Sequence, residues 1–534
     1  MTDKKNSFVA GALIIAVSNI LVKIIGAVYK IPLDRFILGT EGMGIYSSSY
    51  TIYNLLFVIS TAGLPVAISK MIAETEAKGE YKKSEKIFKV SQRLLFCLGL
   101  FAFLVLFLFS RFFANIISSP DSYITMSVMA PSLLFVSLAS AYRGFYQGKQ
   151  NMLPTAISEV IEALSKLIFG LSIAYILKVK FDKYYISSAG AIAGISIGTC
   201  LSLLFLALYS IKGRHKSRMS IKEFSSDKCT ESSLSILKRL IVLAVPITLG
   251  VCVFTLTSLI DTATVMNQLG GLGYNTFDRS SLYGYLNRAI TLFNMPPTII
   301  NAIAISIVPS VSAFLAVNNR TAALKNTKSA LKITVIFAVP CAVGLCVLAR
   351  PILELLYKDP NHSFLLNIMG IAVFFVTIVQ ISNAVLQAWG NVWGPVLNMF
   401  IGGIVKVALN LYLVSKPEIN INGAPIGTLA CYITVMTLNI IALKRKTNMK
   451  FGFSEFVVKP LITAIATGAA AYFSYAFISS YVSSLIISIF LAICITAVIY
   501  FAVLFLIGGV SEDEILLVPK GDKILSILKK IKLI

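Results

Sequence analysis

Five basic residues lie inside stretches of the chain that are otherwise almost wholly apolar. One is Arg288, in the segment LYGYLNRAITLFNMPP (282–297), and four are lysines: Lys23, Lys30, Lys166 and Lys406. Three acids have similar surroundings: Glu159, Glu162 and Asp261. A cation at the centre of a bilayer costs about 2.5–3.5 kcal/mol on insertion scales, so such residues usually face a cavity or a partner. The excess of bases over acids predicts a net positive lining that suits a phosphate or diphosphate group.

Helical spacing places several of these side chains on shared faces. In the first apolar segment, Asn19, Lys23 and Lys30 fall within an arc of about 60° at 100° per residue. Glu162 precedes Lys166 by four residues, the favourable order for an ion pair within a helix. This pair is interpreted either as part of a binding site or as a buried ion pair that only stabilises the fold. Lys30 is either a ligand or a side chain that extends to the membrane surface.

The remaining charged positions are assigned to the same predicted site. Gln387 and Lys406 are expected to contribute to substrate binding, with a neutral, packed Lys406 as the alternative. Glu159, Glu162 and Asp261 are candidate cavity acids that couple transport to an ion, and Asp261 is alternatively a partner of Arg288. Because an arginine does not deprotonate in proteins, a functional role is favoured for Arg288.

The composition explains what positions these residues. The 534-residue chain is 57% hydrophobic and 13% charged, with a mean hydropathy of +0.83, whereas soluble domains carry about 25% charged residues. Segments of about 20 apolar residues predict transmembrane helices, and barrel strands would be shorter and alternating. The sequence therefore predicts an all-α integral membrane protein with about 14 transmembrane helices, at 8–30, 45–73, 90–113, 123–147, 153–177, 184–211, 239–266, 282–316, 333–357, 362–390, 394–414, 423–443, 456–478 and 483–508.

Two parts of the chain repeat each other. Residues 110–122 resemble 349–363, and residues 142–167 resemble 381–407, at an offset of 239–240. Two six-helix units of parallel topology are typical of transporters in which two halves move around a shared site. The predicted domains are an N-lobe (1–211), a basic linker (212–238), a C-lobe (239–443), a hairpin of the last two helices (444–508) and a basic amphipathic tail (509–534).

Charge also predicts orientation and excludes other functions. Lysine and arginine concentrate in the loops on one side, such as KGEYKKSEKIFK (78–89), so both termini are predicted to be cytoplasmic. The same bias explains most of the net charge of +23 without nucleic-acid binding. Two histidines and scattered cysteines predict no metal site. No phosphate-binding loop or catalytic pair is found, so the chain is predicted to be neither an enzyme nor dependent on a cofactor.

Four stretches identify a family. YKIPLDRFILGTEGMGIYSSSYTIYNLL (29–56), TAGLPVAISKMIAE (61–74), YRGFYQGKQNMLPTAISEVIE (142–162) and YLNRAITLFNMPPTII (285–300) resemble bacterial polysaccharide-export flippases of the stage V sporulation protein B kind. These belong to the superfamily of the lipid II flippases and the MATE drug exporters. The resemblance covers essentially the whole chain, and it implies two six-helix lobes in a V, with a final hairpin beside a groove for a lipid tail.

The resemblance also implies a substrate and a site. Lipid II flippases use cavity arginines in spans 1 and 8; Lys23 and Arg288 match two of these positions, and Lys30 lies at or next to a third. Lysine cannot form the planar, bidentate hydrogen bonds that an arginine forms with a phosphate. The implied substrate is an undecaprenyl-diphosphate-linked saccharide, which a monomer in the bacterial cell membrane moves from the inner to the outer leaflet by alternating access. Membrane potential or an ion gradient, with a monovalent coupling ion, is the expected driving force.

Three alternatives stay open from the sequence. One is a cation-coupled multidrug exporter of the MATE type, which predicts an acidic rather than a basic cavity. Another is an exporter of a different lipid-linked precursor, such as a capsule or teichoic-acid unit. The third is a membrane scaffold without transport activity, which gives no reason for charges in five separate segments.

The predicted orientation places Cys229, in the linker, in the cytoplasm. A membrane-impermeant thiol reagent applied to intact cells should therefore leave Cys229 unlabelled. Clear labelling of Cys229 from outside would reverse the topology.

Overall fold

The computed structural model is helical in all regular parts that it describes, and those parts contain no β-strand. It describes residues 18, 21–61, 63–224, 231–316, 318–391, 393–449, 452 and 454–509. The predicted site residue Asn19, the labelling target Cys229 and the tail from residue 510 onward lie outside the described residues.

Nineteen helices are numbered in chain order. They are α1 (21–32), α2 (Gly39–Thr61), α3 (Leu64–Ala77), α4 (Tyr81–Leu108), α5 (Ser110–Ile116), α6 (Ser122–Gly148), α7 (Leu153–Ser165), α8 (Leu171–Phe181), α9 (Tyr184–Phe224), α10 (Ser233–Gly271), α11 (Thr276–Phe293), α12 (Met295–Ala316), α13 (Arg320–Val347), α14 (Ala349–Tyr357), α15 (Ser363–Ala388), α16 (Trp393–Val414), α17 (Gly423–Thr447), α18 (Lys459–Tyr481) and α19 (Leu485–Leu506). Wider π-helical turns occupy Leu33–Leu38, Lys166–Gly170 and Ser454–Val458.

Eleven helical stretches among the described residues are long and apolar enough to cross a membrane. The first, Leu21–Glu76, contains residues 21–30 of the first predicted span and all of the second. Nine of the other ten follow predicted spans 3–6 and 9–13 in order, and the last matches span 14. Predicted spans 7 and 8 coincide with α10 and with α11–α12, which lie outside these eleven. The prediction of an all-α membrane protein is confirmed, and the count of fourteen spans stays a prediction.

Helix breaks occur where proline or a π-turn interrupts the regular hydrogen bonding. The MPP motif separates α11 from α12 at Asn294, as the sequence indicated. The second predicted span, however, is divided at Gly63, because Pro65 lies in the first turn of α3, where it needs no N–H donor. The fifth is divided by the π-turn that begins at Lys166.

Helix order follows the sequence repeat. The first residues of α4 and α13, Tyr81 and Arg320, are 239 positions apart, and the last residues of α6 and α15, Gly148 and Ala388, are 240 apart. The short helices α5 and α14 occupy equivalent places. The chain also divides into two compact units, 1–284 and 285–534, with the division inside α11. The predicted domain boundaries stay predictions.

The first unit contains a crossing at which two backbones meet. Gly44 of α2 lies against the backbone of Ser280 in α11, where an added Cβ would overlap the carbonyl oxygen, and Gly284 meets Thr40 in the same way. The Thr40 and Ser281 hydroxyl groups lie 2.8 Å apart and share a hydrogen bond. Helix association in lipid depends on such close packing of small residues.

Replacing Gly44 with alanine should destabilise the protein by about 1–3 kcal/mol, the usual cost of overpacking. Gly344→Ala is the matched control, since Gly344 also lies within a helix but an added Cβ meets no atom within 4 Å. Chemical unfolding in detergent micelles measures both variants. Equal stability of the two variants would show that the α2–α11 crossing is not tightly packed.

Candidate functional site

In the first unit, one of the predicted cations lies against tyrosine rings and a second lies near it. The Lys166 Nζ atom, at the start of the π-turn, is 4.8 Å from the centroid of the Tyr29 ring and 5.6 Å from that of Tyr50. Lys30 is half-buried and within electrostatic range of Lys166 and Asp34. Ammonium groups over aromatic faces are stabilised by the ring quadrupole, more strongly where water is excluded. The structure thus brings Lys30 and Lys166 together.

A row of aromatic side chains on α2 adjoins Lys166. Successive ring centroids of Tyr46, Tyr50, Tyr53 and Phe57 are 6.2, 5.7 and 5.9 Å apart. Tyr50 is 37% exposed, while Tyr46 and Tyr53 are buried. Sequence reasoning missed this row because its segment read only as an apolar span. The signal was the spacing of four, three and four residues, which places aromatic rings on one helix face.

Glu162 pairs with Arg143 of α6, at 2.8 Å between Oε2 and Nη2. The same guanidinium donates hydrogen bonds to Ser158 and Ser202, each at 3.0 Å. The predicted ion pair between Glu162 and Lys166 is therefore wrong. Spacing along one helix cannot reveal a competing partner on a neighbouring helix, and an arginine with three acceptors satisfies a partly buried carboxylate better than a lone ammonium group.

The other predicted acids have different surroundings. Glu159 is half-buried within electrostatic range of Arg143, and its Oε2 atom has no hydrogen-bond partner among the described residues. Asp261 is buried in α10 near Tyr283, whose hydroxyl lies 2.7 Å from that of Thr262. Lys23 is exposed on α1 and within electrostatic range of Lys30.

In the second unit, Arg288 is 6% exposed and paired with a residue that the sequence did not indicate. Its Nη1 atom lies 3.0 Å from Oδ2 of Asp359. The guanidinium carbon is 5.1 Å from the ring centroid of Tyr285 and 4.9 Å from that of Tyr357. The permanent charge of Arg288 is thus compensated by one carboxylate and two aromatic rings.

The turn between α14 and α15 fixes Asp359. Lys358 and His362, which flank it, both adopt the left-handed backbone region with φ of 55°. The Asn361 N–H donates a hydrogen bond of 3.1 Å to the other Asp359 oxygen. Burial raises the pKa of Asp359, but hydrogen bonds from Asn361, Tyr285 and Arg288 outweigh it and hold the pKa below its usual range. The carboxylate is therefore charged at neutral pH.

The last two predicted site residues, Lys406 and Gln387, lie on helices that carry neither Arg288 nor Asp359. Lys406 is buried on α16, one turn before the buried Asn410. Asn410 packs closely against Gly427 of α17, where an added Cβ would overlap its side-chain oxygen. Gln387 is exposed in the last turn of α15.

These features define a multi-pass, all-helical membrane protein. The structure matches that of the lipid II flippase MurJ in its inward closed conformation with a TM-score of 0.67 at 16% identity, covering 93% of this chain and 99% of that one. Residues 8–315 match the model of the polysaccharide biosynthesis protein family. The chain belongs to this family.

Two relatives from Bacillus subtilis (strain 168) extend over most of the chain. Stage V sporulation protein B is 24% identical over 523 residues, which cover 96% of this chain and 98% of that protein. The lipid II flippase MurJ is 24% identical over 475 residues, or 86% of each chain. The resemblance expected from the sequence motifs is confirmed.

A double-mutant cycle tests the rearranged ion pair. Arg143→Ala and Glu162→Ala should show a coupling energy of about 1 kcal/mol or more, because the two side chains are in direct contact. Lys166→Ala and Glu162→Ala serve as the control cycle and should couple by less than about 0.5 kcal/mol. Chemical unfolding in detergent gives both values. A larger coupling energy between Lys166 and Glu162 than between Arg143 and Glu162 would show that the ion pair forms within one helix instead.

Proposed function

We propose that this protein is a flippase that moves an undecaprenyl-diphosphate-linked glycan precursor, lipid II or a similar molecule, from the inner to the outer leaflet. The observation that carries the proposal is a set of cations held within apolar helices: Lys166 and Arg288 lie against aromatic rings, and Lys30 lies within electrostatic range of Lys166. The name of one relative, a lipid II flippase, supports the same substrate class.

A diphosphate is the group that most needs such cations. An isolated anion taken from water into a medium of low dielectric loses several kcal/mol of solvation even after relaxation. Ammonium and guanidinium groups replace part of that solvation with charge-assisted hydrogen bonds. The proposed path for the headgroup is lined by five basic and two amide side chains: Lys23, Lys30, Lys166, Arg288, Lys406, Asn19 and Gln387. Glu159, Glu162 and Asp261 are proposed as the acids of that path.

The lipid tail needs no such path, since it can stay in the bilayer. The proposed tail-binding groove borders α18 and α19, which present large apolar side chains to lipid, including Phe473, Phe477 and Tyr481, all more than 60% exposed. In the proposed cycle, two lobes joined by the 212–238 linker close on the headgroup from the cytoplasmic side and reopen outward. The proposed unit is a monomer with both termini in the cytoplasm.

Substitution of the cations should abolish transport without unfolding the protein. In proteoliposomes that contain an undecaprenyl-diphosphate saccharide, Lys23→Ala and Arg288→Ala should lose outward flipping, whereas Lys416→Ala, at an exposed lysine, should retain it. Lys23→Arg should be tolerated better than Lys23→Glu, because the sign of the charge matters most. Flipping at the wild-type rate by folded Lys23→Ala and Arg288→Ala proteins would refute the cationic path.

Membrane potential is the proposed driving force. Moving one charge through 100 mV is worth about 2.3 kcal/mol, so about two uncompensated negative charges leaving a negative interior gain about 4.6 kcal/mol. Outward flipping should rise under an inside-negative potassium–valinomycin potential and fall when the potential is reversed. Equal rates at both signs would mean that cations travel with the headgroup or that another gradient drives the cycle.

A further inference from the structure

The ion pair between Arg288 and Asp359 has no role in the cycle described above. An arginine that binds a diphosphate must offer its N–H groups to the phosphate oxygens, yet here Asp359 already accepts from Nη1 at 3.0 Å. We propose that Asp359 is a resident counter-anion of Arg288, which the diphosphate replaces on the guanidinium on binding and with which Arg288 pairs again on release. This inference rests on the proposed function and concerns the same site.

The geometry makes the two anions competitors. Carboxylates and phosphates bind a guanidinium in its plane, through paired N–H groups. The Tyr285 and Tyr357 rings lie against the same guanidinium, and only 6% of the arginine side chain is exposed. A diphosphate therefore gains the Nη1 group of Arg288 when the guanidinium turns away from Asp359.

Asp359 is held independently of Arg288. Its second oxygen accepts from the Asn361 N–H, and the flanking left-handed residues Lys358 and His362 fix the backbone of the turn. Non-glycine residues in this region cost on the order of 1 kcal/mol each, and they persist where the surroundings determine the backbone. The carboxylate thus stays in place when Arg288 turns to another anion, and it remains available for the return.

The sequence repeat shows that the fold does not need a charged pair at this position. Ser48 and Ser119, each 240 residues earlier, are the equivalents of Arg288 and Asp359. In the first unit both serines bond to the same hydroxyl, that of Ser122, at 3.1 Å and 2.6 Å. Neutral side chains therefore join the same two elements in the first unit. The charges of the second unit call for an explanation other than packing.

Exchange predicts that binding and transport respond in opposite directions to loss of the carboxylate. Without Asp359, a diphosphate no longer competes with a resident anion, so it should bind more tightly. It should also leave more slowly, because nothing takes its place on Arg288. A residue with a merely structural role would weaken both binding and transport.

The test uses the full-length protein and farnesyl diphosphate as the binding probe. Asp359→Asn and Asp359→Ser, the latter copying the first unit, should each bind farnesyl diphosphate about fivefold more tightly, since even an exposed ion pair at the upper end of its range corresponds to that factor. Outward flipping of an undecaprenyl-diphosphate saccharide by the same variants should be at least fivefold slower. Asp359→Glu should behave like the wild type.

Asp121→Asn is the matched control, because Asp121 lies in the equivalent turn of the first unit and is exposed. Inorganic pyrophosphate tested beside farnesyl diphosphate distinguishes a free anion from a lipid headgroup, and the latter should bind more tightly. Thermal unfolding without ligand shows whether each variant is folded. Two neutral variants, Asp359→Asn and Asp359→Ser, are used so that the test does not depend on the stability of one protein.

The exchange is refuted if the neutral variants bind farnesyl diphosphate no more tightly than the wild type, or if they flip lipid as fast as Asp121→Asn. Failure of the proposed function has a different signature. The wild-type protein would then fail to flip the lipid-linked saccharide, while the binding comparison at Asp359 would still report on the exchange.

Discussion

Every charge placed within an apolar helix must be compensated, and this requirement organises the polar contacts of both units. Arg288 is compensated by a carboxylate and two tyrosine rings, Lys166 by two tyrosine rings, and Arg143 by a carboxylate and two serines. Aromatic rings stabilise a cation without neutralising it. Lys166, which lies beside the aromatic row of α2, therefore keeps its attraction for an anion, which full pairing with an acid would remove.

The two repeats show how one scaffold carries different chemistry. Equivalent positions are occupied by neutral serines in the first unit and by the Arg288–Asp359 pair in the second. Conversely, the aromatic row of α2 is not repeated in the second copy, since the positions 240 residues after Tyr46, Tyr50 and Phe57 are Leu286, Ile290 and Pro297. Each copy thus keeps the helix order and has diverged in these side chains.

Much of the fold followed from the sequence, because apolar length and proline act locally. The apolar segments, the break at MPP and the repeat offset all reappear in the structure. The break at Gly63 and the π-turn at Lys166 did not follow, since a break within an apolar run depends on neighbouring helices. Candidate ionic residues could be found individually, whereas their partners could not. Arg143 is 19 residues from Glu162, and Asp359 is 71 residues from Arg288.

The central claim is that the protein carries an anionic, lipid-linked headgroup. The most direct measurement is outward flipping, in proteoliposomes, of three lipids that share one polyprenyl chain and one saccharide but join them through a diphosphate, a monophosphate or a neutral ether. The account predicts the fastest transport for the diphosphate, slower transport for the monophosphate and none for the ether. Transport of the neutral lipid at the rate of the diphosphate would contradict it.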